Sequence, residues 1–133
     1  ETGRILALKG AQYLLFPTAI GSEPILPIDS QPHWQNAMAG QSALNIMPVV
    51  ASNRIGTEKE KNSSMTFFGS SFITDECGNV VAKASRDKEE ILVHSFDLNQ
   101  IDAKRRDWGI FRDRRPEMYK DILLNDATSK ENK

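Results

Sequence analysis

The sequence predicts a mixed α/β fold, and three observations carry the prediction. Short apolar or β-branched runs (Tyr13 to Phe16, Pro48 to Asn53) recur among stretches of helical pattern. Gly and Pro punctuate the boundaries, at Gly10, Gly21, Pro24 and Pro27. Two aromatic or β-branched runs flank Asp75-Glu76-Cys77-Gly78-Asn79, whose turn-forming residues indicate a hairpin.

The elements follow in order. Residues 1–9 place Ile5, Leu6 and Leu8 on a helix that Gly10 ends. Gln12 to Phe16 reads as a strand buried on both faces, because Tyr13 to Phe16 is apolar throughout. A loop punctuated by Gly21, Pro24 and Pro27 follows the strand. Asp29 or Ser30 caps a second helix with Pro32 in its first turn, where a missing N–H costs little. It runs to about Asn45, with Trp34, Ala37, Met38 and Leu44 near one face. Its small residues (Ala37, Ala39, Gly40, Ser42, Ala43) permit close approach of a sheet or a partner. Pro48 to Asn53 is a second strand, and Thr57 to Ser64 a polar hairpin loop whose alternating charges make a solvated surface. Met65 to Ile73 and Val80 to Ala84 form the hairpin, with Phe67, Phe68 and Phe72 supplying both faces of one strand. Glu90 to Phe96 is a further strand. Asp97 caps a helix from Leu98 to about Arg106. An arginine-rich tail spans 107–124, and 125–133 is expected to be a disordered terminus.

Composition excludes several classes. The 17 basic and 18 acidic residues nearly cancel, which removes the broad electrostatic case for nucleic acid or an anionic membrane. No apolar run approaches the roughly 20 residues a membrane-spanning helix needs. Residues 1–9 are charged and lack the apolar core of a signal peptide. One cysteine leaves no internal disulfide and suits a reducing cytosol, so a cytoplasmic location is expected.

Three segments, Phe16 to Pro24, Val50 to Gly56 and Trp108 to Glu117, together resemble the nitrilase superfamily of carbon-nitrogen hydrolases. The resemblance runs from Glu1 to about Leu124. It implies half of an α-β-β-α sandwich, in which two sheets pack face to face with helices outside. It also implies hydrolysis of a carbon–nitrogen bond by a Glu base, a Lys and a Cys nucleophile. Those three groups would precede this chain, since Glu1 matches the last letter of the family's Cys-Trp-Asp-Gln-Trp-Phe-Pro-Glu motif. The chain is then a carboxyl-terminal portion with no catalytic residue of its own. The implied substrate is N-carbamoylputrescine, cleaved with water to putrescine, carbon dioxide and ammonia. No metal or organic cofactor is implied. The alternatives are another ureido hydrolase of the β-ureidopropionase kind, or a non-catalytic assembly subunit of a split enzyme.

Substrate-binding roles fall on Glu23, Thr18 and Ala19. Ligands collect beyond the carboxyl ends of strands in open α/β sheets, and Glu23 follows such an end. The substrate's far amine is protonated, so a pocket for it needs an anion shielded from bulk water. The resemblance assigns that role to Glu23, against the plainer reading of a surface loop carboxylate. Thr18 and Ala19 either line the substrate channel with backbone groups or merely end the strand. Arg54, beside Asn53 on the same edge, suits a structural ion pair better than a carboxylate clamp. Cys77 lies in a turn beside Asp75 and Glu76, which disfavours a nucleophile. His33 and His94 lack ligand spacing for a metal. The tail from Arg112 to Tyr119, with Trp108, Phe111 and Tyr119 as anchors, reads as a homo-oligomer interface.

Overall fold

The computed structural model describes residues 1–22 and 28–124. The elements are α1 (Thr2–Leu8), β1 (Leu14–Thr18), β2 (Gly21–Ser22), α2 (Gln31–Asn45), β3 (Val49–Asn53), β4 (Ile55–Lys59), β5 (Ser64–Phe68), β6 (Phe72–Thr74), β7 (Val80–Lys83) and α3 (Leu98–Asp107). Two 3₁₀ turns, Pro116–Met118 and Lys120–Leu123, follow. One sheet has the order β1-β3-β6-β7, with β1 parallel to β3 and the other pairs antiparallel. The second has the order β2-β5-β4 and is antiparallel throughout. The mixed α/β expectation holds.

Local chemistry explains most boundaries. Gly10 ends α1 with φ of +95°, a conformation that costs glycine little. Ser30 takes the N-cap position of α2, but the side-chain bond comes from Asp29, whose Oδ1 accepts the Gln31 N–H at 3.1 Å. The helix closes at Ile46, buried and left-handed (φ 47°, ψ 60°). Asp97 caps α3 by accepting the N–H groups of Asn99 and Gln100, each at 3.0 Å.

Ala7, Leu14, Trp34, Met47, Val49, Ala51, Phe68 and Phe72 form the core. Trp34 meets the Phe72 ring edge-on, with centroids 5.2 Å apart, and the Phe68 ring at 5.7 Å. Ser42, fully buried in α2, donates to the Met47 carbonyl at 2.8 Å and also contacts the Asp75 carbonyl, tying the hairpin turn to the helix. Gly78 in that turn lies so close to α2 that an added Cβ would meet the Ala39 carbonyl oxygen at 2.9 Å and the Ala43 Cβ at 3.2 Å. The small residues of α2 thus admit the turn between β6 and β7.

Several expectations need correction, beginning with the loop expected around Gly21, which contains the short strand β2. β1 is not buried on both faces: Leu15 is 63 % exposed, and the strand begins and ends two residues later than expected. Pro17 is tolerated because β1 pairs only with β3 among the described residues, so its missing N–H costs no ladder bond on the open edge. On α2 the buried residues are Gln31, Trp34, Ser42 and Asn45, a true helical stripe, whereas Ala37 and Leu44 are exposed. Ile5, Leu6 and Leu8 lie on α1 as expected, and the buried residues of that helix are Gly3 and Ala7. Met65 to Ile73 is two strands in different sheets, because Gly69 and Ser70 turn left-handed (φ 47° and 57°) and redirect the chain. Phe67 and Phe68 therefore belong to β5 and Phe72 to β6. Glu90 to Phe96 forms no ladder among the described residues, and its Ile91 and Val93 are almost wholly exposed. The loop after β4 also narrows to residues 60–63, since Thr57 to Lys59 pair with β5. The terminus from 125 to 133 lies outside the described residues, and no helix among the described residues is long and apolar enough to cross a membrane.

Candidate functional site

β1 and β3 run parallel and end together, Thr18 opposite Asn53, so their carboxyl ends form one edge. Thr18 and Ala19 stand on it, as the sequence reading requires. The Thr18 hydroxyl contacts the Ser52 carbonyl at 2.8 Å and the Asn53 Oδ1 at 3.1 Å, and its carbonyl accepts the Arg54 N–H. Its polar groups are thus directed back into the sheet. Ala19 is exposed, and neither its amide nor its carbonyl is engaged among the described residues. Of the pair, Ala19 has the backbone groups open to a ligand. Glu23 lies outside the described residues, one position beyond β2.

The chain leading to that position is closely held. Asn53 Oδ1 accepts the Ile20 N–H at 2.9 Å, and its Nδ2 donates to the carbonyls of Ile20 at 2.9 Å and Gly69 at 3.0 Å. Gly21 and Ser22 then pair with Phe67 and Thr66 of β5. Gly21 abuts that strand so tightly that a Cβ would lie 2.8 Å from the Phe67 Cα. Only glycine fits there.

Arg54 pairs with Glu58 on the surface and stacks over the Phe67 ring at 4.8 Å, matching the structural ion pair expected. His33 is exposed. His94 is also exposed, and it lies outside any strand although Glu90 to Phe96 was expected to form one; its ring is 4.8 Å from that of Phe96. Among the described residues no cluster of His, Cys, Asp and Glu could hold a metal ion.

Cys77 lies exposed in the β6–β7 turn, as expected, but in unexpected company. Lys104 of α3 places Nζ 2.7 Å from both the Cys77 Sγ and the Glu76 Oε1. The hydrogen bond from Lys104 holds the Glu76 carboxyl below its ordinary range, and the contacts with Cys77 and Glu76 raise the Lys104 ammonium. A separation of 27 positions hides this cluster from a reading of spacing.

The tail docks through arginines. Arg4 and Arg105 stack on the Phe111 ring at 4.8 and 5.5 Å, while they also donate to the Leu44 and Ile46 carbonyls at the end of α2. Phe111 is therefore an anchor within the chain, whereas Trp108 and Tyr119 remain exposed. Arg112 forks onto Asp113 at 2.7 and 2.9 Å, and Arg115 pairs with Glu117.

Comparison with known proteins places this architecture. Residues 1–106 match the carbon-nitrogen hydrolase family. A citrullinase of Francisella tularensis is 52 % identical over 92 % of this chain and 43 % of its own length. An N-carbamoylputrescine amidase of Solanum tuberosum is 47 % identical over 97 % of this chain and 45 % of its own. The crystal structure of a carbon-nitrogen hydrolase from Helicobacter pylori superposes with a TM-score of 0.82 at 39 % identity, covering 92 % of this chain and 44 % of that one. The chain thus spans less than half the length of the curated relatives it matches. The α/β architecture and the sequence agree: the chain belongs to the carbon-nitrogen hydrolase family of the nitrilase superfamily.

Proposed function

We propose that the chain is the carboxyl-terminal portion of a hydrolase acting on linear ureido compounds that carry a protonated amine at the far end, with N-carbamoylputrescine as substrate. The observation that carries this reading is the identity of 47 to 52 % to a citrullinase and to N-carbamoylputrescine amidases. The two named substrates share a ureido group at one end of a short carbon chain and an amine at the other. In this reading Glu23 receives the ammonium, and Thr18 and Ala19 line the approach. The Glu, Lys and Cys that perform the hydrolysis lie in the portion of the relatives this chain does not span. The enzyme works in the cytoplasm without metal or organic cofactor and assembles as a homo-oligomer through the tail from Arg112 to Tyr119.

The test joins the chain to the amino-terminal portion of the citrullinase relative and measures ammonia release. The fusion hydrolyses N-carbamoylputrescine, and Glu23→Gln raises KM sharply while barely affecting butylurea, which lacks the amine. The chain alone releases no ammonia. Turnover by the chain alone, or equal use of both substrates by the fusion, overturns the reading. The 52 % identity to the citrullinase favours a second reading, in which citrulline is the substrate. Citrulline bears a carboxylate beside its amine and would need a cation close to Glu23. Comparing kcat/KM for the two compounds separates these readings.

A further inference from the structure

We infer that Asn53 is a positioning residue for the amine-recognition end of the pocket, setting substrate specificity through the chain segment from Thr18 to Ser22. The inference rests on the functional reading above and extends it to a residue that touches no substrate.

The β1–β3 ladder ends at the Thr18–Asn53 pair. Beyond it no backbone group of β3 pairs with Ile20, yet Ile20 is held as if the ladder continued. The Asn53 carboxamide accepts the Ile20 N–H and donates to the Ile20 carbonyl, both at 2.9 Å. A side-chain amide carries one acceptor and two donor hydrogens, so it can reproduce both halves of a backbone rung. Its second donor hydrogen goes to the Gly69 carbonyl at 3.0 Å. Gly69 begins the left-handed turn through which β5 of one sheet passes into β6 of the other. One carboxamide therefore joins the point where the chain leaves the first sheet, after β1, to the point where it leaves the second, after β5. The Ser71 hydroxyl, which accepts the Asn53 N–H at 2.9 Å, fixes the backbone that carries the amide.

No other side chain reproduces the arrangement. Aspartate accepts but cannot donate to the two carbonyls, and would set a negative charge against both. Glutamine carries one more methylene, which moves the amide away from Ile20. With the rung broken, the segment keeps the two-residue pairing of Gly21 and Ser22 to β5 and one long bond, 3.4 Å, from the Phe68 N–H to the Ile20 carbonyl before position 23. An ammonium ligand displaced by an ångström loses most of its advantage, whereas an uncharged substrate has nothing to lose there.

The experiment compares Asn53→Asp and Asn53→Ala with wild type in the active fusion, using N-carbamoylputrescine and butylurea. Both variants raise KM for N-carbamoylputrescine about tenfold or more, with kcat nearly constant. They leave kcat/KM for butylurea within about twofold, which general damage to the fold would not do. Equal losses on both substrates, or none, overturn the inference. Glu23→Gln separates the two levels. If it abolishes the preference for the amine while the Asn53 variants keep it, the functional reading survives and this inference falls. If wild type shows no such preference, both fall. A second measurement needs no activity: hydrogen exchange on the chain itself. In Asn53→Asp, exchange accelerates at Ile20 to Ser22 while α2 keeps its protection. Unchanged protection at Ile20 overturns the inference.

Discussion

Truncating Phe72 to Ala tests the account of the core. The Phe72 side chain is fully buried in β6, pairs with Ala51 of β3, and makes a T-shaped contact with the Trp34 ring, centroids 5.2 Å apart. Removing a buried phenyl ring costs about 3–5 kcal/mol, combining the lost transfer free energy with the cavity left behind. Of this, about 0.5–1.5 kcal/mol belongs to the aromatic pair. The upper part of the range applies here, because Phe72 is fully buried in one cluster with Met47, Val49 and Ala51, where close packing leaves little room to collapse into the space. A chain of 133 residues has a total stability of roughly 7–20 kcal/mol, so the variant stays folded but with a much earlier midpoint. Urea unfolding at low chain concentration, followed by tryptophan fluorescence, measures the change. Trp34 reports the core, and Trp108, already 65 % exposed, adds a nearly constant background. A Trp34→Phe variant completes the double-mutant cycle and isolates the pair energy. A cost below about 1.5 kcal/mol with an unchanged denaturant slope would refute the claim that the two sheets share one packed core around this ring.

Glycine substitutions give opposite signs at two positions. Gly69→Ala destabilises by about 1–3 kcal/mol, since φ is +47° and the new Cβ would lie 2.8 Å from the Arg86 carbonyl carbon. Gly40→Ala, inside α2 with open space at its Cβ, stabilises by about 0.5–1 kcal/mol; the same urea experiment measures both. The Glu76–Lys104 pair adds a pH dependence. The Glu76 carboxyl is depressed in the folded state, so its contribution is complete above the ordinary value of 4.5 and fades as pH falls through the lowered native value. With both side chains under a third exposed, Glu76→Gln costs about 0.5–1 kcal/mol at neutral pH and almost nothing well below 4.5. A pH-independent difference between wild type and variant would contradict that linkage.

The arrangement of helices and strands was legible wherever local chemistry decides. Gly10 stopped α1, Asp97 capped α3, the turn from Asp75 to Asn79 closed its hairpin, and β3 followed its β-branched run. The candidate edge was legible too, because Thr18 and Ala19 follow an apolar run that ends at a loop. What the sequence could not convey is which face each element buries. Leu15, Leu44 and Ile91 are as apolar as Leu14, Met47 and Val49, yet the first three are exposed and the last three buried. That choice depends on neighbours brought together across the chain. The break at Gly69 and Ser70 carried a local mark, the run Gly69-Ser70-Ser71, but the flanking aromatic residues let Met65 to Ile73 read as one strand. Only the crossing between sheets demands its left-handed turn. The polar links of Asn53 to Ile20 and Gly69, and of Lys104 to Glu76 and Cys77, span 16 to 33 positions. Hydrogen bonds act over about 3 Å in space and carry no mark in the order of residues, so tertiary structure alone decided them.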